Sequence, residues 1–287
     1  MIIEQVSRFL AEANKGQADM SDEIIEEAVA AFRKAMNAHF KPKKDRVFEP
    51  YLSSIGRPLC QLQMEQSGAE REPPEWHFRM KMLFGDMTEI AAVAIMKAAG
   101  IPVVDEQKEV KWDSGYGEVR GKLDFNIEGE GVYDLKSASS YQYTYKFNQG
   151  DAFHKIREDD AFGYIVQGYL YGEGAGEKFK GWIVINKATG EWCIAPTPIA
   201  DNSYRKEAIR TAQSNAKALA EGAEFKRCYE PVIESFNGKK TGNKYLDTTC
   251  SYCPYKNACW GKVTHMAQPK SKAKSPKKFY YIGDVNV

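Results

Sequence analysis

Long hydrophobic runs are missing from this chain of 287 residues, and so is any stretch that reads as a secretory signal or a membrane span. A strong net charge is missing too, since 40 Lys and Arg face 39 Asp and Glu for a formal +1. That balance does not exclude a nucleic-acid partner, because a basic groove can be offset by acidic surface elsewhere. Cysteine is scarce, with six residues in the whole chain, which speaks against a disulfide-stapled secreted domain. No internal repeat is present. With 43% hydrophobic and 28% charged residues, the composition is that of a soluble globular protein, one large domain or one domain plus an appendage. A cytoplasmic location is expected.

Against this background, two short runs stand out: Lys122-Leu-Asp124-Phe-Asn-Ile127 and Val132-Tyr-Asp134-Leu-Lys136-Ser137, separated by Glu128-Gly-Glu-Gly131. Each alternates apolar and polar residues, as half-buried strands do, and the glycines mark a turn. Period two puts Asp134 and Lys136 on one face, and Asp124 on the face opposite Leu123, Phe125 and Ile127. Paired as a hairpin with an odd-numbered loop, the strands bring Asp124, Asp134 and Lys136 to one side of the sheet. Two carboxylates suit Mg²⁺ or Mn²⁺, which prefer oxygen ligands and keep positions open for water and a phosphate oxygen. A lysine beside them can orient that water or offset negative charge in the transition state.

Three further features bear on the same chemistry. Glu89 lies in a helix expected from Pro73-Pro74 to Gly100-Ile-Pro102, on a stripe with Met82, Gly85, Val93 and Met96. A carboxylate in an apolar stripe is costly unless it is paired or bound to metal. Gln167 and Tyr171, four apart in a helix expected over Asp159–Tyr171, share one face. Cys250-x₂-Cys253-x₅-Cys259 gathers half of all the cysteines, and three thiolates need a fourth ligand to close a zinc site or an iron–sulfur cluster. Cys60, Cys228, Cys193 and, for zinc, His265 are the available fourth ligands.

In this order, Glu89, Gly121-Lys-Leu-Asp124, Asp134-Leu-Lys136 and Gln167-x₃-Tyr171 resemble the RecB-like branch of the PD-(D/E)XK nucleases. Ser54-Ile-Gly-Arg-Pro-Leu-Cys60 together with the cysteine triplet resembles its iron–sulfur members, among them the AddB helicase-nuclease subunit and the CRISPR-associated adaptation nucleases. The resemblance covers roughly residues 50–265. It implies an α/β restriction-endonuclease-like core, a mixed central sheet flanked by helices, with N-terminal helices and a C-terminal cysteine module added. It implies that Asp124 and Asp134, with Glu89 and the Leu135 carbonyl, bind Mg²⁺ or Mn²⁺, that Lys136 is the catalytic lysine, and that Gln167 and Tyr171 line the DNA path. It implies a 4Fe–4S cluster on Cys60, Cys250, Cys253 and Cys259. The histidine often found shortly before the helix carboxylate is absent, Gly85-Asp-Met-Thr88 filling that stretch, so Asp86 is a substitute ligand. The activity implied is a metal-dependent DNA exonuclease acting on single-stranded or frayed ends in recombination, repair or processing, working beside a helicase or recombination partner. A non-catalytic DNA-binding or assembly subunit with a structural zinc site is the alternative.

Three segments follow: a helical part (1–49), the nuclease domain with its cysteine module (50–265) and a flexible basic tail (266–287), in which Gln268–Lys278 carries five lysines. Lys41–Arg46 is a basic connector. Ile25, Val29, Phe32 and Met36 form an apolar stripe on the second helix, expected against the core or another protomer. Ser139–Arg157 is expected to be an irregular loop whose aromatics and basic residues suit a nucleic-acid surface.

Overall fold

The computed structural model describes residues 1–41, 48–198 and 202–286. Most of the connector Lys41–Arg46 lies outside the described residues. In chain order the elements are α1 (Ile2–Ala13), α2 (Asp22–Phe40), α3 (Leu59–Gln66), α4 (Phe78–Ala98), β1 (Val103–Val104), β2 (Glu109–Asp113), β3 (Glu118–Lys122), β4 (Phe125–Ile127) and β5 (Gly131–Ala138). They continue with α5 (Ser140–Gln142), a π-turn (Tyr143–Phe147), α6 (Ala152–Glu158), α7 (Tyr164–Ala175), β6 (Phe179–Asn186), β7 (Trp192–Pro196) and α8 (Ser203–Ala220). The chain ends in β8 (Val232–Phe236), β9 (Lys239–Tyr245), α9 (Thr248–Tyr252), α10 (Lys256–Trp260), β10 (Val263–Ala267) and β11 (Lys278–Ile282).

The central sheet has the order β1-β4-β5-β6-β7 and is mixed: β5 and β6 run parallel, and the other neighbours antiparallel. Parallel strands need a long crossover, which α5 to α7 supply. β5 is central, so both of its faces are covered. Val132 and Ala138 join Trp182, Val184, Phe153 and Leu170 in one apolar layer under α6, α7 and α8. Tyr133 and Leu135 join Ile183, Ile185, Ala92, Met96, Ile2 and Val6 in the other, under α1 and α4. Each large side chain removed from water here stabilises the fold by about 1.5–3 kcal/mol. Asp134 and Lys136 alternate with Tyr133 and Leu135, so they face the α7 layer.

The expected strand Lys122–Ile127 is broken. β3 pairs with β2, β4 pairs with β5, and Leu123-Asp124 is the junction between them. Leu123 therefore packs with the α7 layer while Phe125 and Ile127 pack on the α4 side, which strict period two would not allow. Helix α7 begins at Tyr164 rather than Asp159, because Asp160 caps it: its two carboxylate oxygens accept from the N–H groups of Tyr164 (2.7 Å) and Ile165 (3.0 Å). Ser139–Arg157, expected to be irregular, is largely helical.

One expectation fails at the edges of the chain, and of the two partners expected for the α2 stripe the core is not the one it meets. The tail is not wholly unstructured: β11 pairs with β10 and β9, and Tyr281 is fully buried with its hydroxyl donating to Glu234. Its Phe-Tyr-Tyr-Ile run forms a strand once it leaves the lysine-rich stretch, so a boundary at 265/266 cuts β10. The stripe of α2 points outward: Ile25, Val29, Phe32 and Met36 are exposed, while Ala28 and Ala35 turn inward and Ile24, Ala28 and Ala31 share a cavity wall with α4.

No helix among the described residues is long and apolar enough to cross a membrane.

Candidate active site and cysteine module

The β4–β5 hairpin has a three-residue loop, since Ile127 pairs with Gly131 and Phe125 with Tyr133. Asp124 stands one residue before that ladder, at the break between β3 and β4. Asp124 is held there by β5 itself: its Oδ2 accepts from the Leu135 N–H at 2.7 Å. Asp134 is buried, at 1% exposure, and its Oδ2 lies 2.7 Å from Lys136 Nζ. Lys136 is the one partner of Oδ2 among the described residues. On the other oxygen, Gln167 Nε2 donates to Oδ1 at 3.3 Å and also reaches the Tyr171 hydroxyl at 3.2 Å. Glu89 approaches from α4 and accepts from Gln107 Nε2 at 2.6 Å. Glu89 and Asp124 both border an open pocket walled by α2 and α4.

The electrostatics are unbalanced toward negative charge. Burial, Asp134 and Glu89 together hold Asp124 well above the usual carboxylate range. Burial raises Asp134 as well, against the opposing pull of Lys136. Burial also raises Glu89, to about 7, although the Gln107 hydrogen bond and Lys136 oppose it. Burial alone would lower Lys136, but Asp134 and Asp124 outweigh it and the ammonium is held charged. Three carboxyl groups thus share one full cation, an arrangement that favours protons or an added cation over bare charge.

The site has partners that the sequence motifs did not name. Tyr164 lies beneath the lysine, 4.7 Å from Nζ to the ring centroid. Its spacing gave the signal, because 164, 167 and 171 recur on one helix face. Gln107 had no such signal; it reaches Glu89 only because the loop before β2 folds over Asp124, where the Gln107 N–H donates to the Asp124 carbonyl. Asp86 is turned aside, 2.8 Å from His39 Nε2 on α2.

The cysteine module lies on the surface, held to the segment before α4. The Glu72 N–H donates to the Pro254 carbonyl, the Asn257 N–H donates to Glu72, and Lys256 pairs with Glu72. Arg227 donates to the Cys259 carbonyl and stacks on Trp260 at 4.4 Å. Cys60, Cys250, Cys253 and Cys259 line one cavity. Cys228 sits beside Cys60, its Sγ accepting from the Cys60 N–H at 3.2 Å. A hydrogen bond between the two thiols pulls Cys228 down to about 6 and pushes Cys60 up. Cys193 is elsewhere, buried in the core, and His265 stacks on Tyr280. Five of the six cysteines therefore belong to this region. Among the described residues, no three His, Cys, Asp or Glu side chains are gathered closely enough to hold a metal ion as they stand.

No family model and no curated protein matches the chain. Among solved structures, it is similar to the crystal structure of SSO0001, at 13% identity and a TM-score of 0.44, over 83% of this chain and 98% of that one. It is also similar to a "Putative exonuclease" from Eubacterium rectale, at 15% identity and a TM-score of 0.37, over 73% of this chain and 90% of that one. This chain is itself α/β with a mixed central sheet, and at such TM-scores its site must be argued from its own residues.

Proposed function

We propose that the chain is a metal-dependent nuclease, an exonuclease acting on single-stranded or frayed DNA ends. The observation that carries the reading is the excess of negative charge around Lys136. Asp124, Asp134 and Glu89 all act electrostatically with one ammonium, and Asp134 Oδ2 is a buried carboxylate oxygen whose one partner among the described residues is Lys136. Such a donor set fits a hard divalent cation, Mg²⁺ or Mn²⁺, better than it fits a static salt bridge. The cation would be held by Asp124 and Asp134, with Glu89 and the Leu135 carbonyl, and would supply Lewis acidity and an activated water. Closing that shell requires the carboxylates to draw together and Lys136 to yield its place on Asp134.

The other residues have defined tasks. Gln167 donates to Asp134 Oδ1 and keeps Oδ2 turned toward the cluster. The Leu135 N–H fixes the Asp124 carboxylate. Lys136, kept charged and braced on Tyr164, offsets charge building up on a phosphate or orients the attacking water. The cysteine module is read as the seat of a 4Fe–4S cluster on Cys60, Cys250, Cys253 and Cys259, stapling the C-terminal segment to the segment before α4 rather than carrying electrons.

Asp134→Asn tests the reading, because it removes charge without removing volume. Cleavage of end-labelled DNA in Mn²⁺ should fall by at least about 100-fold while DNA binding stays close to wild type. Near-normal cleavage would show that the site lies elsewhere.

A further inference from the structure

Aromatic rings that the catalytic reading leaves without a task run outward from Lys136. Phe162 stacks on Tyr164 with centroids 5.6 Å apart and planes 25° apart. Tyr252 follows on Phe162 at 5.4 Å and 51°. Exposure grows along the series: Tyr164 is half-buried, Phe162 is 41% exposed and Tyr252 is 63% exposed. Neither outer ring is among the buried core residues, and each leaves surface open to a ligand.

The chain fixes the track from both ends. Phe162 precedes Gly163, whose φ of +74° is left-handed and whose Cβ position would meet the Gly56 backbone at 3.2 Å. Asp160 caps α7 immediately before it, locking the turn. Tyr252 lies between Cys250 and Cys253, so the cysteine module sets its position. Beside this track lies Arg57, which makes no ion pair among the described residues; its Nε is buried without a hydrogen-bond partner, and the guanidinium acts electrostatically on Tyr164. A half-buried guanidinium group with no ion pair among the described residues, beside exposed rings, is suited to an anion that arrives with flat, stackable groups.

We propose that single-stranded nucleic acid leaves the Asp134–Lys136 centre across Tyr164, Phe162 and Tyr252, with bases stacked on the exposed ring faces and a backbone phosphate on Arg57. Every base has a π face, so such a platform is tolerant of sequence. A duplex keeps its bases stacked internally and cannot use it, which selects unpaired strands. That the strand connects with the Asp134–Lys136 centre rests on the nuclease reading; the binding surface does not.

The test is fluorescence anisotropy of a labelled oligothymidine of about 15 nucleotides, in EDTA so that no cleavage occurs. Phe162→Ala and Tyr252→Ala should each weaken binding at least about fivefold, with unchanged melting temperature. Tyr252→Phe keeps the ring and should bind as wild type. Phe162→Leu keeps bulk without the π face, and should fail as Phe162→Ala does even if the alanine variant misfolds. Arg57→Ala should reduce the slope of log affinity against log salt by about 0.7, the share of one phosphate contact on a single strand. Tyr116→Ala, at an exposed ring on the β2–β3 turn, should change nothing. Wild-type affinity in Phe162→Leu and Tyr252→Ala would overturn the proposal, and so would a wild type that binds blunt duplex more tightly than single strand. Strand binding through these rings without cleavage in any metal would instead remove the nuclease reading and leave this one standing.

Discussion

Glu89 is the residue whose titration can be followed most simply. Burial holds its carboxyl up to about 7 in the folded chain, against an ordinary value of 4.5. A carboxyl raised on folding stabilises the native state while it is protonated, and that contribution is lost as pH rises through the interval between those two values. Glu89→Gln should therefore melt about 2–4 °C above wild type at pH 8 and alongside it at pH 4, read by differential scanning calorimetry. A bound cation prefers the ionised form, so Mn²⁺ at pH 8 should raise the melting temperature of wild type more than that of Glu89→Gln. A variant no more stable than wild type at pH 8 would mean that Glu89 is not held neutral by its surroundings. At this scale the sequence was informative where one element carried the pattern. Asp134 and Lys136 are two apart on one strand, and Gln167 and Tyr171 four apart on one helix, so periodicity placed each pair on one face. Gln107 and Arg57 were not legible, because their partners come from distant segments and nothing in their own spacing points to them.

Between elements, the close approach of α7 to the sheet decides whether Gln167 reaches Asp134. Gly168 makes that approach possible, since a Cβ there would lie 2.2 Å from the Phe179 ring. Gly168→Ala should push helix and strand apart, cost about 1–3 kcal/mol of stability in denaturant melts, and lengthen or break the Gln167–Asp134 contact. Unchanged stability would show that Phe179 can move aside freely. Element boundaries were less legible than element faces. α7 starts late because its cap, Asp160, is followed by an aromatic turn that reads as more helix. The break at Leu123-Asp124 was hidden because both halves continue the same alternation while pairing with different partners. One hairpin carries a plain signal in its sequence. Asn237-Gly238 joins β8 to β9 with φ of +49° and +75°, the left-handed pair that a tight hairpin turn demands. The outward stripe of α2 shows the limit of pattern alone: periodicity identifies an apolar face, but smaller residues won the contact with α4.

For the molecule as a whole, the cysteines join segments that are far apart in sequence. Cys60 opens α3, Cys228 precedes β8, and the triplet lies along α9 and α10, so a group held among them would tie the N-terminal half to the C-terminal sheet. Closing so long a loop adds only a modest entropic cost over a shorter one. With a 4Fe–4S cluster on Cys60 and the triplet, protein purified without oxygen should be brown, with absorbance near about 400 nm. Cys60→Ser should lose that colour and melt at lower temperature, whereas Cys228→Ser should keep both. Colourless wild-type protein containing stoichiometric zinc, or bleaching by Cys228→Ser alone, would reassign the site. The resemblance favoured Cys60 over Cys228, and the fold brings the two side by side; sequence distance could not have shown this.

The central claim is that Asp124, Asp134 and Lys136 form a nuclease centre, and end-labelled single-stranded DNA incubated with Mn²⁺ tests it most directly. Wild type should shorten the strand, EDTA should stop it, and Lys136→Ala should slow it by at least about 100-fold while Mn²⁺ still raises the variant's melting temperature. Lys136→Ala protein that degrades the strand at the wild-type rate, or wild type that leaves it intact in both Mn²⁺ and Mg²⁺, would contradict the claim.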